Sequence, residues 1–319
     1  HCATAKARQK NLNKSVESCS TTPGERLCID TSSIKELSYG NRKFWLLAVD
    51  DCVDFSWSEF LEKKSDTTKK IIPLIKELQA KHGYIVKYIR CDNAGENLKL
   101  EEACRKEGLG IQFEYTAPGT PQQNGRVERK FATLYARVRA MMNHARLTAT
   151  LRHGLWAEAA ATATLIENTI VTEDKLTAPY VRFFGKEPEY VRNLRTFGEI
   201  GVVLNHAQQK IRGKLADRGR ACLFLGYSAN HAVDVYRMLN LETRRVIHTR
   251  DIIWMNQTYG QYKNITATKT VNVDDSDDEE DDATSNSETG RDKSTDQEVI
   301  IVDAEDDAAN ESDEETPED

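Results

Sequence analysis

Three carboxylates, Asp30, Asp92 and Glu128, stand where two strands and one helix could bring them together. Asp30 follows the apolar run Leu27-Cys28-Ile29. Asp92 closes the run YIVKYIRCD, directly ahead of Asn93-Ala94-Gly95-Glu96-Asn97. Glu128 falls in the first turn of a long amphipathic stretch, just past Asn124, and 35 residues separate it from Asp92. Acids gathered in this way suit chemistry at a phosphodiester. Attack by an oxygen nucleophile builds charge on the entering and leaving oxygens, and two metal ions roughly 3.5–4 Å apart stabilise both. Mg2+ (or Mn2+) takes a few hard carboxylate oxygens and keeps positions open for water and phosphate. Asp30 would bridge two such ions, with Asp92 and Glu128 each binding one. Without metal, three close carboxylates repel and raise one another's pKa, so the site is expected to be incomplete in the free chain. Each acid alone has a plainer reading. A strand-end Asp is more often a turn or cap residue, and a first-turn Glu is favoured by the helix dipole. Asp50, Asp51 and Asp54, near the second strand, compete as ligands. The joint spacing has the force that the single residues lack.

The elements that must hold these acids are legible in the apolar pattern. RLCIDTSS, KFWLLAVDD and DFSWSEFLE read as three strands in hairpin succession, with a turn at Tyr39-Gly40-Asn41. Residues 66–81 read as a helix with Pro73 inside it, which predicts a kink or a late start. Residues 84–92 are a fourth strand, LKLEEACRKEG is a helix closed by Gly108, and IQFEYTA is a fifth strand. A helix over 125–145 follows from Val127, Phe131, Leu134, Val138, Met141 and Ala145, and another covers 155–171. The fold class is therefore mixed α/β, with the strand and helix order of a ribonuclease H-like domain over 23–185. Residues 195–256 hold short strands separated by basic loops and read as a small all-β domain. Residues 1–22 read as a basic linker. Residues 265–319 are acidic and poor in apolar side chains, so a disordered tail is expected.

The formal charge of −7 hides two opposite regions. From Ile265 onward 22 Asp and Glu face 3 Lys and Arg, which leaves 41 basic against 29 acidic side chains before it. A basic body fits a polyanion such as nucleic acid, although a mixed-charge surface alone does not demand one. The seven cysteines are odd in number and form no Cys-x-x-Cys pair, which argues for reduced thiols. No apolar run is long enough to span a membrane.

The segments CIDTSS, FWLLAVDDCVDFSWSEFLEKKSD, IRCDNAGEN and above all TAPGTPQQNGRVERKFATL resemble the integrase of Copia-type LTR retrotransposons. The resemblance runs over roughly residues 1–255. Beyond the core it takes in LWAEAA, LRTFG, KLADRGRACLFLGYS and RRVIHTRDIIW, which are similar to that family's post-core helices and SH3-like domain. It implies a catalytic triad of Asp30, Asp92 and Glu128, two Mg2+ or Mn2+ ions, DNA as partner and substrate, a homo-oligomer, and a nuclear location with a cytoplasmic particle stage. The family's N-terminal zinc module would survive here only as Cys2, and one cysteine cannot hold a structural zinc, so no zinc is expected. Position 94 is Ala where Gly is common in the family. Gln123, Asn124, Arg126, Arg129, Lys130 and Arg137 lie before and after Glu128, and such residues would position DNA through its phosphates. A solvated helix face is the plainer alternative. Lys210, Arg212, Lys214, Arg218, Arg220, Arg244 and Arg245 invite the same reading in the β domain.

Three functions remain open from sequence. The first is an integrase that trims 3′ ends and joins them to target DNA. The second is a ribonuclease H-like nuclease without joining activity. The third is a decayed or co-opted remnant that only binds nucleic acid or proteins. The acidic tail would be either a linker within a polyprotein or a tether to a chromatin partner.

Overall fold

Strand β1 (Arg26–Ser33) lies at the centre of a five-stranded mixed sheet, flanked by β2 (Phe44–Asp50) on one side and β4 (Tyr88–Cys91) on the other. β3 (Ser56–Leu61) and β5 (Gln112–Tyr115) form the edges, giving the order β3-β2-β1-β4-β5. β1 to β3 pair antiparallel, while β1–β4 and β4–β5 are parallel. The computed structural model describes residues 19–116, 124–172, 175–204, 218–228 and 232–264. The expectations for most of the basic linker with Cys2, for Gln123, for Lys210, Arg212 and Lys214, and for the acidic tail fall outside the described residues.

The central strands are apolar on both faces, as a covered sheet requires. Leu27, Cys28 and Ile29 are buried, and so are Trp45 to Asp50. Helix α1 (Thr67–His82) begins six residues before Pro73 and runs through it, so the late start does not occur. Gly83 ends α1 in the left-handed region at φ 71°, where glycine carries no Cβ penalty. Helix α2 (Gly95–Lys106) follows β4, and α3 (Gly125–His144) follows β5. The buried stripe of α3 uses Met142 rather than Met141. A step of four from Val138 keeps the stripe on one face of a 3.6-residue helix, so the regular four-three alternation slips by one.

Helices α4 (Ala149–Gly154), α5 (Trp156–Glu167) and α6 (Pro179–Phe184) complete the helical part. The sequence pattern did not announce α4 or α6. Ala178 precedes the helical Pro179, a favoured first position because proline's missing N–H is unneeded there. Phe183 of α6 is 1% exposed, with its ring 4.6–5.2 Å from those of Tyr84, Phe55, Phe184, and Trp57.

The chain divides into two compact units. The described residues of the first lie within 19–33, 44–133 and 166–188 and hold the mixed sheet. Those of the second lie within 34–43, 134–165 and 189–264. The second unit carries β6 (Glu199–Leu204), β7 (Gly219–Tyr227), β8 (Tyr236–Asn240), β9 (Val246–Thr249) and β10 (Ile252–Thr258), all antiparallel, in the order β10-β6-β7-β8-β9. A short helix, α7 (Tyr259–Tyr262), closes it.

RRVIHTRDIIW is thus two strands at opposite edges, joined only by Arg250 and Asp251. Three Cα–Cα steps reach at most about 11 Å. In a flat sheet of five strands the edges would be about 19 Å apart. The sheet must therefore curl until its edges approach. Phe224, Tyr236 and Trp254 meet edge to face within it, at centroid distances of 5.2–5.8 Å. Gly201 of β6 leaves room for its neighbour β10, because a Cβ there would stand 2.4 Å from Ile252 Cγ2.

Candidate functional site

Parallel pairing of β1 with β4 sets Arg26 opposite Tyr88 and Cys28 opposite Arg90. Two residues further along each strand, the same register brings Asp30 level with Asp92, at the end of the sheet from which α2 departs. Asp30 is half-buried and accepts a hydrogen bond from the Thr31 N–H at 2.8 Å. Burial pushes its carboxyl above the ordinary carboxylate value, the Thr31 N–H opposes this, and the charges of Asp92 and Glu128 push it further up. The Lys64 ammonium acts in the opposite sense.

Asp92 is exposed but tethered. Its Oδ1 accepts hydrogen bonds from Asn97 Nδ2 at 2.6 Å and from the Ala94 N–H at 3.2 Å. Asn97 is 6% exposed in the first turn of α2 and also donates to the Asp92 main-chain oxygen at 3.2 Å. Sequence reasoning did not single out Asn97, the amide five residues after Asp92 in the first turn of α2. Lys64, which pairs with Glu96 of the same turn at 3.5 Å, was missed as well.

Glu128 is exposed in the first turn of α3, and its N–H donates to the Asn124 carbonyl at 3.2 Å. Asn124 sits where an N-cap belongs, yet its side-chain Oδ1 is buried without a hydrogen bond, so the expected side-chain cap is not made.

The cations around Glu128 separate into two kinds. Arg129 is exposed, and Arg137, further along α3, is half-buried. Arg126 and Lys130 are engaged by acids of the first unit. Arg126 Nε lies 3.0 Å from Asp51 Oδ1, and its Nη1 bonds Asp54. Lys130 Nζ lies 3.2 Å from Glu167 Oε1, with both side chains close to one-eighth exposed at 13% and 12%.

The competing acids have other employment. The Asp50 carboxylate is fully buried and accepts N–H bonds from Gly24, Cys52 and Val53 at 2.7–3.0 Å. Asp51 faces Arg26 and Arg126, and Asp54 faces Arg126 and Lys175. The buried thiols of Cys28 and Cys91, which flank the site in sequence, are pushed up to about 12 by burial and are inert at neutral pH.

Among the described residues, no three His, Cys, Asp or Glu side chains are close enough as they stand to hold a metal ion. The donor set nonetheless fits a hard divalent cation: three carboxylates, two of them exposed, with the third raised by burial and further by the charge of the others.

A family model described as the retroviral polymerase SH3-like domain matches residues 202–268, which include most of the curled sheet. Over 220 residues the chain is 30% identical to the Retrovirus-related Pol polyprotein from transposon TNT 1-94 of Nicotiana tabacum, covering 68% of this chain and 16% of that protein. The corresponding proteins from transposons RE1 and RE2 of Arabidopsis thaliana are 29% and 26% identical over 234 residues, covering 73% of this chain and 15% of each of them. The chain thus spans about one-sixth of the length of the curated relatives it matches.

Proposed function

This chain is a relative of the Copia-type Pol polyproteins of plant retrotransposons, and on that premise we propose that its first unit is the catalytic core of an integrase. The observation that carries the proposal is the coupling of the three acids. Asp92, just past the end of β4, comes level with Asp30 within the parallel neighbour β1, and the Asp30 carboxyl is raised by burial and further by the charges of Asp92 and Glu128. The sheet order β3-β2-β1-β4-β5, with three antiparallel strands leading into two parallel ones, supports a ribonuclease H-like fold for this unit.

The chemistry supplied by two bound Mg2+ or Mn2+ ions is charge stabilisation at the attacking and leaving oxygens of a phosphodiester. Asp30, from the central strand, Asp92, held by Asn97, and Glu128, from the first turn of α3, would hold the ions through their carboxylates. Exposed Arg129, with Asn124 and Arg137, would position DNA by its phosphates, without reading sequence. Gln123 joins them in this reading. The reaction is removal of terminal nucleotides by water and then attack of the freed 3′-hydroxyl on a target strand. The partners are DNA and further copies of the chain, with a nuclear site of action after a cytoplasmic particle stage. Residues 265–319 would contact a chromatin partner.

A second reading, a remnant that binds nucleic acid without catalysis, draws on the carboxylates not being gathered tightly as they stand. One variant separates the two. Glu128→Gln is nearly isosteric but removes a charge from the metal site. Strand transfer in Mg2+ should fall by orders of magnitude. DNA affinity and its salt dependence should persist, and the thermal midpoint should scarcely move, because an exposed first-turn Glu contributes only about 0.3–1 kcal/mol through the helix dipole. Strand transfer that survives this change would remove Glu128 from the catalytic set. Strand transfer absent from the wild-type chain while it still binds DNA would favour the remnant.

A further inference from the structure

Arg126 and Lys130 stand one helical turn apart on α3 and so share a face, with Glu128 about 200° away around the axis. Both cations end in ion pairs that are largely withdrawn from water. Arg126, 25% exposed, meets Asp51 at 5% and Asp54 at 24%. Lys175 bonds the second oxygen of Asp54. Lys130 meets Glu167, the last residue of α5. An ordinary surface pair in this chain, Lys81 with Glu77, is 68% and 51% exposed, a setting in which ion pairs contribute little.

The acids of this cluster are themselves held in place. The Asp50 carboxylate ties the turn after β2 through the Cys52 and Val53 N–H groups. Asp54 takes the left-handed conformation at φ 63°, which Asp tolerates better than most residues. The turn therefore presents Asp51 and Asp54 to α3 from a fixed base. At the same time the first turn of α3 lacks its side-chain cap, since Asn124 Oδ1 bonds nothing. An uncapped first turn has unsatisfied N–H groups and frays.

We infer that Arg126 and Lys130 are positioning residues: with Asp51, Asp54, Lys175 and Glu167 they form an ion-pair clamp that fixes the first turn of α3, and with it the place where Glu128 presents its carboxylate. The inference rests on the proposed role of Glu128. It assigns these two cations to the scaffold rather than to DNA phosphate. Lifting either one onto a phosphate would give up an ion pair already largely withdrawn from water, which is costly.

The test uses the full chain and three readouts: amide hydrogen exchange over residues 125–130 without DNA or metal, Mn2+ binding by electron paramagnetic resonance, and DNA affinity against salt. Lys130→Met keeps the stem and removes the charge. Glu167→Gln removes the acid and cannot itself delete a phosphate contact. The clamp predicts that both variants speed exchange of the Glu128, Arg129 and Lys130 amides, the first able to bond back into α3, about tenfold while the central strands stay protected. It also predicts that both weaken Mn2+ binding by about 10- to 100-fold, the usual effect of losing a residue that orients a ligand. Lys130→Arg should stay close to wild type in both. The salt slope of DNA binding should not change. The inference is overturned if exchange is unaltered in Glu167→Gln, or if Lys130→Met leaves Mn2+ binding intact and lowers the salt slope by about one contact. Faster exchange throughout the chain would also overturn it, as a general loss of stability. Failure of the metal-site reading looks different: Glu128→Gln would then bind Mn2+ as wild type does, while the exchange data still decide the clamp.

Discussion

The side-chain amide of Asn97 donates to Asp92 Oδ1 at 2.6 Å and to the Asp92 main-chain oxygen at 3.2 Å, so one buried side chain grips both ends of an exposed one. Asp92 lies just past the end of β4, where the ladder no longer restrains it. Its carboxylate direction is set instead from the first turn of α2.

Replacing Asn97 by Leu keeps the bulk and removes both donors. Stability should fall by only about 0.5–1.5 kcal/mol, the net worth of a hydrogen bond whose acceptor can turn to water. The larger effect should be on Mn2+ affinity, lowered about tenfold or more because the ligand direction is lost. Thermal melts paired with Mn2+ titration measure the two, and unchanged Mn2+ binding would deny Asn97 an orienting role.

Asp30→Asn should raise the thermal midpoint at neutral pH by a few degrees. The folded chain holds the Asp30 pKa above its ordinary value, first through burial and then through Asp92 and Glu128. A raised carboxyl binds its proton more tightly in the folded state, so its ionisation costs stability as pH rises through the window between unfolded and folded values. The variant's advantage should therefore be largest near pH 7 and vanish in acid. Melts between pH 3 and pH 8 check this, and a variant less stable than wild type at pH 7 would refute it.

Asp54→Asn should have the opposite sign. Burial alone would raise this acid, but Lys175, Arg126 and Lys130 outweigh it and hold it below the ordinary 3.8. Its stabilisation is present above that value and is lost as pH falls through the lower, folded one. The variant should lose about 2 kcal/mol at neutral pH, less than a fully buried broken pair, and should converge on wild type in strong acid. Denaturant titrations at pH 7 and pH 3 measure the difference.

Phe183→Ala should cost about 3–5 kcal/mol, since a fully buried aromatic leaves both a transfer loss and a cavity. The loss removes the ring around which Phe55, Trp57, Tyr84 and Phe184 gather. Urea unfolding checks it, and a cost under about 1 kcal/mol would mean the site collapses freely.

What the sequence determined by itself follows from local periodicity. Leu27-Cys28-Ile29 and Trp45 to Val49 could be read as covered strands, and α3 as a helix from Val127 to Ala145, because alternation and 3.6-residue spacing are set by neighbours in the chain. Asp92 and Glu128 stood out for the same reason, one just past the end of β4 and one in the first turn of α3, whereas Asp30 lies within β1. Tertiary structure decided what periodicity cannot carry. The charges of Arg126 and Lys130 were plain, but a cation's sign does not name its partner. Their acids lie 72 and 37 residues away, and only the folded sheet brings Asp54 and Glu167 to α3. The same holds for Asp50, Asp51 and Asp54, which compete for metal as a sequence but face N–H groups and cations in space. It holds again for β9 and β10, nearly continuous in the chain yet at opposite edges of a sheet that must curl to let a two-residue link join them. Local pattern sets where elements form, whereas partner choice is a long-range property that each element acquires only once the others are in place.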